Sequence, residues 1–84
     1  MTTKNDLKDW VVQALKAHGG EARIPVVAKH VWDNHEPELR ASGELFYTWQ
    51  YDIRWAANRL RDEGHLQPKP KGDRGPWRLP NTRP

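Results

Sequence analysis

From Leu45 to Glu63 the apolar side chains recur at helical spacing. Phe46, Trp49, Ile53, Ala56, Ala57 and Leu60 make one stripe. With Ile53 at 0° and about 100° per residue, that stripe spans roughly −60° to +40°. The opposite side, about 80° to 220°, carries Tyr47, Thr48, Tyr51, Arg54, Trp55, Asn58 and Arg61, with Gln50 at the border. A helix over 45–63 therefore buries one face and turns hydrogen-bonding, aromatic and cationic groups outward. Gly64 is placed to stop it. The stripe needs a core to pack on, and 84 residues can build only a small one.

Two further helices can supply that core. Leu7, Trp10, Val11, Ala14, Leu15 and His18 share a face, which predicts a helix over 5–18. Thr3 or Asn5 can cap it, Thr3-x-x-Asp6 approximates a capping box, and Gly19-Gly20 ends it. Glu21 to Ile24 reads as a short extended segment before Pro25. Ile24, Val27, Ala28 and Val31 then repeat at helical spacing, with Trp32 one turn after Ala28, which predicts a helix over 25–34. Pro37, Ser42 and Gly43 break the rhythm, so 35–44 reads as a loop tacked down by Leu39. Beyond Gly64, the residues Leu66, Trp77 and Leu79 alternate with polar ones around a Gly/Pro-rich basic turn. That pattern predicts two short strands. One domain over 1–80 and a disordered tail over 81–84 follow. The expected core is Leu7, Trp10, Val11, Ala14, Leu15, Ile24, Val27, Val31, Trp49, Ile53, Ala56, Leu60, Leu66, Trp77 and Leu79.

Composition narrows the function classes. The chain is 36% apolar and 30% charged, with five Trp, two Tyr and one Phe to fill a thin core. There is no Cys, which excludes disulfides, thiol catalysis and Cys-containing zinc fingers. The longest apolar run, Ile24 to Ala28, is far below the roughly 20 residues of a membrane span. No apolar leader follows Met1, so a cytoplasmic protein with no membrane partner is expected. Residues 1–44 hold six Lys/Arg against seven Asp/Glu, and residues 45–84 hold eight against four. A basic C-terminal half fits a polyanion partner, and equally a solvated mixed surface.

The order helix, short strand, helix, helix, strand, basic turn, strand is that of an α+β winged helix-turn-helix. Helix 45–63 is then the recognition helix, and the basic turn with Lys69, Lys71, Arg74 and Arg78 is the wing. The run Ile53-Arg54-Trp55-Ala56-Ala57-Asn58-Arg59-Leu60-Arg61-Asp62-Glu63-Gly64-His65-Leu66, followed by Gly75-Pro76-Trp77-Arg78-Leu79, resembles the N-terminal winged-helix domain of Mrr-type restriction endonucleases. The Ser42-Gly43 step and the Gly19-Gly20-x-Ala22-Arg23-Ile24 link match as well. The resemblance covers roughly residues 7–80. It implies a DNA-binding module whose cleaving partner domain is not in this chain.

The candidate DNA contacts are Tyr47, Thr48, Gln50, Tyr51, Arg54, Asn58 and Arg61 on the helix and Lys69, Lys71, Arg74 and Arg78 on the wing. Arg suits guanine O6/N7 and Asn suits adenine N6/N7. Tyr47, Thr48 and Tyr51 can donate to phosphates or stack, or instead pack under the 35–44 loop. Trp55, off the core stripe, is expected to be covered by the loop, the wing or a second subunit. His30 and His35 show no metal-ligand spacing, and no cofactor is expected. Asp6-Leu7-Lys8 has no upstream acid, and Gly72-Asp73-Arg74-Gly75 lacks a P-loop ending, so no enzyme is expected. The resulting expectation is double-stranded DNA binding, as a transcriptional regulator or targeting module. A protein–protein adaptor without DNA binding, or the detached targeting domain of a larger nuclease, are the alternatives, and a protein partner or a homodimer is compatible with each. Glu36, Glu38, Glu44 and Asp52 near the helix favour the adaptor, because they would repel phosphate.

Overall fold

The computed structural model describes residues 2–68 and 75–80. Three helices and a two-stranded antiparallel sheet make a small α+β unit in the order α1 (Lys4–Ala17), β1 (Glu21–Ala22), α2 (Ile24–Arg40), α3 (Leu45–Asp62) and β2 (Trp77–Arg78). Helix α1 begins on a reciprocal cap. The Thr3 N–H donates to Asp6 Oδ2 at 2.9 Å, and the Asp6 N–H donates to the Thr3 carbonyl at 3.0 Å. It ends where Gly19 and Gly20 take φ of 80° and 103°, and the Gly20 N–H reaches back to the Leu15 carbonyl at 2.7 Å. Helix α3 ends in the same way, with Gly64 at φ 81° and the His65 N–H on the Leu60 carbonyl at 2.7 Å.

Helix α1 makes its largest contact with α3. Leu7, Val11, Ala14 and Leu15 meet Ile53, Ala56, Ala57 and Leu60 in a core closed by Val27 and Val31 of α2 and by Leu66 and Trp77. Of the expected core, only Ile24 and Leu79 are half-buried, and both pack against it. Ala22, Leu39 and Leu45 join it. At the start of α3, Leu45 takes the buried position and Phe46 stays half-buried.

Two expectations are corrected. Residues 35–44 are not a ten-residue loop, because helix continues to Arg40. The chain kinks at His35, with φ −133° and ψ 19°, and a new helical turn starts after it. Pro37 then sits in a first turn, where its missing N–H and fixed φ cost little. Glu36 bonds Arg40 one turn on at 2.7 Å, and Leu39 is completely buried beneath the segment. The connection to α3 shrinks to residues 41–44. The second correction concerns the strands. No strand forms at 65–68; β2 instead pairs with β1, with Glu21 opposite Arg78 and Ala22 opposite Trp77. Residue 67 lies along the other side of β2, where the Gln67 N–H donates to the Arg78 carbonyl at 2.9 Å. The expected tail, 81–84, lies outside the described residues.

Candidate nucleic-acid interface

Helix α3 is held on its inner side by α1 and α2, and this decides which of its side chains face out. Tyr47, Tyr51, Arg54 and Asn58 follow one another at +4, +3 and +4, so they line one stripe about 16 Å long. All four are exposed, Tyr47 by 84% and Tyr51 by 76%. They do not pack under residues 35–44. The Tyr47 ring meets Phe46 edge-on, with centroids 5.1 Å apart. Arg54 has no ion-pair partner among the described residues.

Of the other expected contacts, Thr48, Arg61 and Arg78 have internal partners. Thr48 Oγ1 donates to Asp52 Oδ2 at 2.7 Å, and Asp52 is buried. Arg61 is half-buried, with Nη1 donating to Asn58 Oδ1 at 2.7 Å and the guanidinium 6.0 Å from the Trp77 ring centre. Its Nε is buried with no hydrogen-bond partner among the described residues, and this burial lowers the pKa of the guanidinium. Arg78 donates from Nε to Glu21 Oε2 at 2.6 Å and so locks β1 to β2. Gln50 stands at the lip of a shallow aromatic cleft with Ala28, Lys29, Trp32, Phe46 and Trp49. There Trp32 and Trp49 lie parallel, centroids 5.9 Å apart. Lys69, Lys71 and Arg74 lie outside the described residues.

Trp55 is half-buried against the core, and Lys4 Nζ stands 4.8 Å above its ring. The N-terminus of α1 thus places a cation beside α3. Sequence reading missed Lys4, because 51 positions separate it from Trp55 and no local pattern links them. The acids near α3 are less free than their number suggests. Glu36 pairs with Arg40, Glu38 Oε2 lies 2.6 Å from His35 Nδ1, and Asp52 is buried. Glu44 and Asp62 stay exposed at the two ends of the helix.

Asp6 serves the α1 cap and Lys8 pairs with Glu63 at 2.9 Å, which leaves their Asp-x-Lys spacing with structural roles. Among the described residues no three His, Asp or Glu side chains gather as metal ligands, and no helix is long and apolar enough to cross a membrane. Compared with family models, curated proteins and solved structures, the chain matches none.

Proposed function

We propose that this chain is a winged-helix module that binds double-stranded DNA, with α3 as the helix that enters the major groove. The observation that carries this reading is the exposed stripe of Tyr47, Tyr51, Arg54 and Asn58, opposite a fully packed inner face. Its side chains are those that reach phosphates and base edges, and a helix fits a groove about 12 Å wide. The basic C-terminal half supplies the sequence-independent attraction. Arg78 and Thr48, tied to Glu21 and Asp52, act in this reading as supports for the sheet and the helix. The resemblance to the Mrr-type targeting domain points the same way. The role is transcriptional regulation or delivery of a partner to DNA.

Titration of labelled duplex at two salt concentrations tests the reading. Affinity should fall steeply with salt, at about 0.9 log units per log unit of salt for each phosphate contact. Absence of binding at low salt would leave the adaptor reading, for which the two exposed tyrosines between Glu44 and Asp62 are the docking surface.

A further inference from the structure

Asn58 and Arg61 form a unit whose chemistry differs from that of either residue alone. An asparagine reads adenine by accepting from N6 and donating to N7. Here Asn58 Oδ1 already accepts from Arg61 Nη1 at 2.7 Å. The orientation of the amide follows from chemistry, because a guanidinium can only donate and must face the oxygen. The Asn58 amide nitrogen, with its two hydrogens, is thereby turned to the free side of an exposed residue. Arg61 is half-buried, its Nε is enclosed, and its guanidinium stands 6.0 Å from the ring centre of Trp77 on β2. Its positive charge stays beside the Asn58 oxygen.

We propose that Arg61 is a positioning residue that converts Asn58 from an adenine reader into a donor-only reader of guanine. The proposal rests on the DNA-binding reading of α3. Guanine shows two acceptors, O6 and N7, to the major groove, whereas adenine shows N7 and an amino group. An amide that offers N–H bonds, next to a fixed cation, attracts the first edge and repels the amino group of the second. The effect corresponds to about a 5- to 100-fold preference, the discrimination of one well-placed base contact. Arg61 contributes without touching the base.

The test is selection of duplexes from a randomised pool, with a melting curve for each variant. Asn58→Ala identifies the position that Asn58 reads, as the one whose preference disappears. Wild type returns guanine there, and 7-deazaguanine at that position weakens wild-type binding about 5- to 100-fold. Arg61→Met keeps an unbranched stem against Trp77 and frees the amide, so adenine replaces guanine. Arg61→Lys keeps the charge and retains guanine, an outcome that loss of packing cannot produce. Adenine selected by wild type, guanine retained by folded Arg61→Met, or no position lost in Asn58→Ala overturns the proposal and leaves the DNA-binding reading standing. If Arg61→Met does not fold, Arg61→Leu takes its place in the same selection, with the same outcomes, and the 7-deazaguanine comparison tests the guanine contact alone. Wild type that binds no duplex at low salt overturns that reading and this proposal together.

Discussion

The imidazole of His35 lies flat on the indole of Trp10, with centroids 3.9 Å apart and planes 7° from parallel. His35 is also the residue at which α2 kinks. Its Nδ1 is 2.6 Å from Glu38 Oε2 and its Nε2 is 3.3 Å from Gln13 Oε1. One side chain thus ties the bend of α2 to α1 and to the turn that follows the bend.

His35→Ala should lower stability by about 1–2 kcal/mol, the sum of a stacked ring pair and one or two exposed hydrogen bonds. Urea denaturation followed by Trp fluorescence measures it. A loss under about 0.5 kcal/mol, the range of ordinary surface changes, would mean that the stack does not hold the bend.

Leu39 gives a second test of the same region. It is fully buried, as Leu60 nearly is. Leu39→Ala and Leu60→Ala should each cost about 2–5 kcal/mol. Such losses are large beside the total stability of a small domain, on the order of 5–8 kcal/mol. A Leu39→Ala melting curve that matches wild type would return residues 36–40 to the status of a loose connection.

The parts legible in the sequence are those governed by local period and local stops. Helices α1 and α3 follow from their apolar stripes and from Gly19-Gly20 and Gly64. The exposed row Tyr47, Tyr51, Arg54 and Asn58 follows from the same angles. Pro37 misled because its cost depends on its place in a turn, and that place was set by the kink at His35. The residue at the kink stacks on Trp10, 25 positions earlier, which no local window contains. The same limit hid the pairing of β2 with β1. Arg78 is basic by composition, yet Glu21 across the sheet decides what its charge does. Arg61 reads as a base contact by type, and only the packing of α3 on Trp77 brings out its hold on Asn58.

The Lys8–Glu63 pair should be visible in the acid limb of stability. The hydrogen bond from Lys8 is the main cause that lowers the Glu63 pKa. A carboxylate whose folded pKa lies below its unfolded one adds stability that is fully present above the unfolded value. That stability is lost as pH falls through the folded value. Glu63→Gln should therefore melt below wild type at neutral pH, and the gap should close as pH falls below about 4. High salt should narrow the gap as well, since the pair is partly exposed. A gap independent of pH between neutral and acid would assign the effect of Glu63→Gln to the helix end instead of the ion pair.

Arg54 separates a base contact from a phosphate contact. Arg54→Ala should weaken duplex binding by about 1–3 kcal/mol and relax preference at a single position. Equal loss on every sequence would make Arg54 a phosphate ligand, and no loss would remove this part of α3 from the interface.

The basic turn tests how much of the binding is charge alone. Lys69, Lys71 and Arg74 lie among Gly and Pro residues in the sequence, where a long cationic side chain has few apolar neighbours along the chain. Replacing all three with Gln should change stability by no more than about 0.5 kcal/mol. If each meets one phosphate, the slope of log affinity against log salt should fall by about 0.9 per residue replaced. The base preference set by α3 should survive, because phosphate contacts carry no sequence information directly. Fluorescence anisotropy at four or five salt concentrations on one duplex measures the slope. An undiminished slope would put the whole interface on α3 and the N-terminus of α1. Lys4 beside Trp55 would then be the cation to replace next.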